Sequence, residues 1–381
     1  MSTAKIAGCD PRSGIPLHVT VEDGIIARVE ETEGDTDLYL SAGLVDLQVN
    51  GCAGIDLNAD SIAVETVVAL VDAMLARGVT CFAPTLITAP EEEICRGLHM
   101  IAAARRAHPR AAACVPFVHV EGPHISALDG YRGAHPVHAV RPPSIEEFDR
   151  WQLAGDGIVG MVTLSPHFSE SPEYIAALVT RGVHVAIGHT HASAEQIRRA
   201  VDAGARLSTH LGNGIAPQIA RHHNPLWAQL ADDRLTAMLI GDGYHLPGEV
   251  LTAILRAKGV ARSILVSDSV ALAGMPPGTY TASVGGPVEL RPDGRLCLVG
   301  SELLAGSTAS LAQCIGTVVR LTGIPLSDAL AMATVNPGRF ANNSGQLAIG
   351  SRANLMRFRW NAQVEIEGVW LNGVRVAGID D

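Results

Sequence analysis

Glu121, His189, His210 and Asp268 share one kind of position, where a short apolar run gives way to polar or glycine-rich residues. A carboxylate with two imidazoles is a ligand set that suits zinc and leaves a coordination position for water. Water so placed has its pKa lowered to about 7, and a neighbouring aspartate can take its proton and pass it to a leaving amine. Asp268 is the candidate for that task. Each residue also has a plainer use: a lone histidine at a strand end is commonly a hydrogen-bonded structural residue, Glu121 could pair with an arginine, and Asp268 could cap the loop after it. Neither of the last two explains why all the groups fall at one end of their strands.

The elements that must position these residues follow from the apolar runs. The run from Cys114 to Val120 ends in Glu121-Gly122-Pro123 and reads as a buried parallel strand that delivers Glu121 to its carboxyl end. A carboxylate out of water needs a partner charge or a metal. Comparable strands are expected near Leu44 to Val49, Val79 to Ile87, Val115 to Val120, Ile158 to Leu164, Val183 to Ile187, Arg206 to Thr209, Thr236 to Ile240 and Ile264 to Val266. Helical segments alternate with them, including Ile62 to Arg77, Glu91 to Ala107, Glu173 to Arg181, Ala194 to Ala203 and Glu249 to Lys258; several stop just before a glycine. Eight strand-helix units close a (β/α)8 barrel, whose active groups collect at the carboxyl ends of the strands. Those ends here read Gln48-Val49-Asn50-Gly51, Glu121, Gly188-His189-Thr190-His191, Thr209-His210-Leu211-Gly212-Asn213, Gly241-Asp242-Gly243-Tyr244-His245 and Ser267-Asp268-Ser269.

A hairpin is expected around Pro292-Asp293-Gly294, followed by helices over Ser310 to Leu321 and Leu326 to Thr334. Both chain ends are rich in short strands. Residues 1–41 and 345–381 are therefore expected to pair as a small β-sandwich flanking a 42–344 barrel. His119 and His184, inside strands, are assigned to packing or supporting roles, and His18, His99 and His108 to the surface.

Composition narrows the function classes. The chain has 381 residues, 47% of them hydrophobic, and a net charge of -11. The pI near 5.7 disfavours a nucleic-acid or anionic-membrane surface, either of which needs a basic face. A small anionic substrate held by a few local cations is compatible with it. Seven scattered cysteines, an odd number without Cys-x-x-Cys spacing, fit reduced thiols and point to the cytoplasm. Met1 to Asp10 holds no apolar run of signal-peptide length, and no stretch of 18 uninterrupted apolar residues occurs. Val299-Gly300-Ser301 lacks the lysine of a phosphate loop.

From about Gly43 to Gly350 the chain resembles the amidohydrolase superfamily and, within it, the N-acetylglucosamine-6-phosphate deacetylase family. The motifs that carry the resemblance occur in the family's order: Val45-Asp46-Leu47-Gln48-Val49-Asn50-Gly51, His119-Val120-Glu121-Gly122-Pro123, Gly188-His189-Thr190, Thr209-His210-Leu211-Gly212-Asn213, Asp242-Gly243-Tyr244-His245 and Ser267-Asp268. Most amidohydrolases carry His-x-His after strand one; Gln48 and Asn50 stand there in this chain. The resemblance implies one divalent metal ion, zinc first, with iron, cobalt or manganese as alternatives, held by Glu121, His189 and His210, and Asp268 as acid and base. It also implies substrate contacts from His135, Asn213, Gly214 and His245, and a homodimer.

Two departures stand out. Gly212 replaces the family's usual aromatic residue. Arg221-His222-His223-Asn224-Pro225 replaces an Arg-Glu-Pro-Gly segment whose arginine binds substrate phosphate in the neighbouring subunit, although Arg221 keeps its spacing from His210. The expected activity is metal-dependent hydrolysis of the acetamide of an N-acetylated amino sugar, N-acetylglucosamine 6-phosphate foremost, releasing acetate. Its rivals are hydrolysis of another N-acyl or cyclic amide, and a catalytically silent binding relative.

Overall fold

The computed structural model describes residues 3–34, 36–283 and 286–378. The outermost parts of the expected chain-end unit, residues 1–2 and 379–381, lie outside the described residues. Eight parallel strands, β1 (Leu44–Val49), β2 (Val79–Ile87), β3 (Val118–Glu121), β4 (Val159–Leu164), β5 (His184–Ile187), β6 (Leu207–Ser208), β7 (Thr236–Ile240) and β8 (Ser263–Val266), follow one another in a single sheet. The sheet closes into a (β/α)8 barrel where Val49 bridges Ser269 in parallel and the Asn50 N–H reaches the Ser269 carbonyl at 2.9 Å. At that seam a side chain does part of the ladder's work. The Asp46 carboxylate accepts the Ser267 N–H at 3.2 and 3.3 Å.

Both faces of the barrel sheet are buried, which is why its strands read as unbroken apolar runs. Val45, Leu47, Cys81, Ala83, Met161, Ala186, Met238 and Ile264 fill the interior. A larger cluster packs strand residues such as Phe82, Val120 and Leu239 against helix residues such as Leu70, Leu98 and Ile254.

Helices Val64–Leu75, Glu91–Ala107, Ser171–Thr180, Ala194–Asp202 and Gly248–Lys258 lie where periodicity placed them. Helix Pro109–Cys114, by contrast, delays β3 until Val118. Pro109 occupies the first turn and three alanines follow, a composition that favours helix where an apolar count alone cannot choose. Two unanticipated helices carry start signals in their caps. Ser144 Oγ accepts the Glu147 N–H before Ile145–Ala154, and Asn224 Oδ1 accepts the Leu226 and Trp227 N–H groups before Pro225–Ala231.

The expected hairpin gains a third strand. Gly278–Ala282, Gly286–Leu290 and Leu296–Leu298 form one antiparallel sheet. The chain ends meet in a seven-stranded sheet, in which Leu38–Ala42 pairs antiparallel with Leu355–Trp360. That sheet has its own apolar cluster, including Val19, Ile26, Leu40 and Leu355. No disulfide joins the cysteines among the described residues. Among the described residues no helix is long and apolar enough to cross a membrane.

Candidate active site

β3, β5, β6 and β8 end around one cavity of about 330 Å³, lined by Glu121, His189, His210 and Asp268 together with Asn50, His135, Asn213, Gly214 and His245. Glu121 Oε1 lies 2.9 Å from His210 Nε2 and 3.3 Å from His189 Nε2, and the two Nε2 atoms are 3.1 Å apart. This is the group of carboxylate and imidazole side chains among the described residues that could hold a metal ion. Ligands about 2.0–2.1 Å from a tetrahedral zinc lie roughly 3.3 Å from one another, so the triangle has the right size. The tautomers suit the task as well. His189 Nδ1–H donates to the Tyr131 carbonyl at 2.9 Å, which leaves Nε2 as the lone-pair nitrogen.

Electrostatics binds the three together. Burial pushes the Glu121 carboxyl upward, but the His189 and His210 imidazoles beside it outweigh that effect and hold Glu121 well below the usual range. Burial pulls His210 down, and the Glu121 carboxylate reverses the shift, leaving His210 raised. Asp268 moves the other way: burial, and then the Glu121 charge, lift it to about 6.

Backbone conformation aims these groups. His189, His210 and Asp268 have φ of +46°, +28° and +47°, a region that non-glycine residues rarely occupy and that costs about 1–3 kcal/mol each. Three strained residues at three strand ends turn their side chains toward one point. Gly214 has φ of +61°, and a Cβ added there would meet His189 Nδ1 at 2.9 Å. Gly214 therefore forms the floor on which the His189 ring rests.

The first strand supplies two amides. The β1–β2 register shifts between Asp46 and Val49, and a bulge of this kind re-aims side chains. Gln48 Nε2 donates to Glu121 Oε2 at 3.0 Å, and Asn50 Nδ2 donates to Asp268 Oδ1 at 2.9 Å. Gln48 thus acts on the triangle from behind without lining the cavity. On the far wall, His245 Nδ1–H donates to Asp242 Oδ2 at 2.6 Å, and Asp242 Oδ1 accepts the Tyr244 and His245 N–H groups at 2.9 Å each.

Every amidohydrolase-like motif quoted above ends at this cavity or supports it, and the residues 39–376 match the amidohydrolase family. The chain belongs to the amidohydrolase family. It is 31% identical over 366 residues to N-acetylgalactosamine-6-phosphate deacetylase of Escherichia coli O157:H7, covering 93% of each protein. It is 31% identical to N-acetylglucosamine-6-phosphate deacetylase of Haemophilus influenzae, covering 87% of this chain and 86% of that protein. Among solved structures, the Mycobacterium smegmatis N-acetyl-D-glucosamine-6-phosphate deacetylase, as a mutant in complex with N-acetyl-D-glucosamine-6-phosphate, superposes with a TM-score of 0.87 at 29% identity, over 99% of this chain and 100% of that one. The Thermotoga maritima enzyme gives 0.86 at 27% identity, over 98% and 99%. As an amidohydrolase, the chain is a hydrolase of carbon-nitrogen bonds.

Arg221 is the predicted site residue that this amidohydrolase leaves apart. It is exposed, outside the cavity lining, and its carbonyl accepts the Trp227 indole N–H at 3.1 Å. Sequence reasoning also missed residues that the site uses. Thr88 Oγ1 accepts from His135 Nδ1 at 2.8 Å while donating to the Glu121 carbonyl at 3.3 Å. Its place just after β2 was the available signal. Leu303, Leu304 and Gly306, which follow the three-stranded sheet, roof the cavity; nothing local in the sequence marked them. His119 supports β3 as expected, with Nδ1–H donating to the Leu47 carbonyl and Nε2 accepting the Thr163 hydroxyl at 2.7 Å. His184 packs between the rings of Phe117 and Phe340. His99 is exposed, and His18 and His108 are half-buried.

Proposed function

We propose that this chain hydrolyses the acetamide of an N-acetylated amino sugar, with N-acetylglucosamine 6-phosphate as the foremost substrate, releasing acetate and the free amine. The observation that carries the reading is the buried Glu121, His189 and His210 triangle sharing one cavity with Asp268. These three residues would hold one divalent ion, zinc first, and the ion when bound supplies Lewis-acid polarisation and lowers the pKa of water.

The chain's own residues do the rest. Asn50 occupies Asp268 Oδ1, so proton exchange falls to Oδ2. With its pKa near 6, Asp268 is ionised at neutral pH yet basic enough to take a proton from water and return it to the departing amine. Gln48 fixes Glu121 from behind. His245, its Nδ1–H spent on Asp242, presents Nε2 to the substrate as an acceptor. His135, which burial pushes down to about 3, is neutral; its Nδ1–H is committed to Thr88, leaving Nε2 to accept from a sugar hydroxyl. Asn213 Nδ2 is buried without a hydrogen-bond partner among the described residues, and a sugar oxygen would satisfy it.

On the same reading the 42–344 barrel is the hydrolase unit and residues 1–41 with 345–381 form the smaller one. The protein works in the cytoplasm as a homodimer, with Arg221 meeting the phosphate. Acetate release is to be measured from N-acetylglucosamine 6-phosphate, N-acetylgalactosamine 6-phosphate and their unphosphorylated forms. Release from the first supports the reading, and none from any of the four overturns it.

A further inference from the structure

Two histidines outside the triangle stand after adjacent strands, His167 beyond β4 and His191 beyond β5. Their rings lie 4.3 Å apart, tilted by 45°, and both residues are half-buried. His167 Nδ1 is 2.7 Å from Ser165 Oγ, and His191 Nδ1 is 2.7 Å from Ser126 Oγ. Ser165 gives its own hydroxyl proton to Thr190 Oγ1 at 2.7 Å, so toward His167 it can only accept. The His167 proton therefore sits on Nδ1, and Nε2 carries the lone pair. His189 has the same arrangement, with its Nδ1–H spent on the Tyr131 carbonyl, and ligating imidazoles generally give their other N–H to a fixed acceptor in this way.

We propose that His167 and His191 form a second, weaker site for a divalent transition-metal ion, held by two imidazoles and completed by water. Imidazole donors select zinc, nickel or copper over magnesium or calcium. The absence of a carboxylate from the pair and its partial exposure make it weaker than the Glu121 site, since no protein charge offsets the ion. The Phe168 ring lies 3.8 Å from the His167 ring, tilted by 39°, and Tyr131 packs 5.8 Å from the His191 ring, which restrains both imidazoles. Nothing in this inference depends on the substrate of the Glu121 site.

The test is equilibrium dialysis of the zinc-loaded, full-length protein against excess zinc or nickel, with bound metal counted per chain by plasma emission. The wild type is expected to hold two ions. His167→Gln and His191→Gln should each keep the first and lose the second, while a His222→Gln, His223→Gln double variant keeps both. Circular dichroism checks folding, and should His191→Gln disturb the neighbouring His189, His167→Gln decides alone. One ion in the wild type, a second ion that survives His167→Gln, or a second ion lost with His222 and His223 would overturn the proposal.

Discussion

The two walls of the cavity are built differently. On one, the side chains come directly off strand ends and are nearly sealed, Glu121 at 3% and His210 at 4% exposure, with hydrogen bonds between them. On the other, the groups hang from loops: Leu303 is 52% exposed, and the Glu302 side chain, 76% exposed, pairs outward with Arg291 at 2.8 Å. Arg221 stands in a loop of the same kind. The difference separates chemistry from selectivity. A barrel can fix a few atoms to within tenths of an ångström, while loops set what fits above them.

Substitutions on the strand-end wall should therefore cost most. Asp268→Asn should lower kcat by on the order of 10³-fold, the scale of a lost general base, while bound metal measured by plasma emission stays at the wild-type level; near-normal turnover would erase the distinction between the walls. Gln48→Ala, which removes the amide behind Glu121, should weaken metal affinity by about 10–100-fold, as read by competition with a chelator. An unchanged affinity would mean that the triangle is self-sufficient.

The pH profile probes the same wall. Asp268 is raised to about 6 by burial and by Glu121, and only its ionised form accepts a proton. The rate should be full above that pH and fall about tenfold per unit below it, with the acid limb absent from the residual activity of Asp268→Asn. The smallest effect belongs to the loops. Arg221→Ala should change kcat/KM for the phosphorylated sugar by no more than about fivefold, the scale of an exposed ion pair, and leave the unphosphorylated sugar untouched. A 10²-fold loss would mean that the loop wall contributes as much as the strand-end wall.

The same contrast explains what could be read from the sequence. The barrel and the strand-end groups were legible because burial on both faces writes long apolar runs, and each polar residue ending a run is conspicuous. The positive φ at His189, His210 and Asp268 was not legible, because the residue types give no hint of it and only the assembled loops hold it. Helix Pro109–Cys114 is short and runs directly into the apolar run that begins at Cys114, and the third strand Gly278–Ala282 is too exposed for a clear alternating pattern. His167 and His191 escaped for another reason. His191 ends the strand-five motif but His167 belongs to none, and only the packing of β4 beside β5 makes them neighbours.

The central claim, that Glu121, His189 and His210 hold the ion on which amide cleavage depends, meets its most direct test in acetate release from N-acetylglucosamine 6-phosphate by protein stripped with a chelator and then reloaded with one equivalent of zinc per chain. Release should vanish on stripping and return on reloading in the wild type, but fail to return in Glu121→Gln. Undiminished release from the stripped protein, or full recovery by Glu121→Gln, would contradict it.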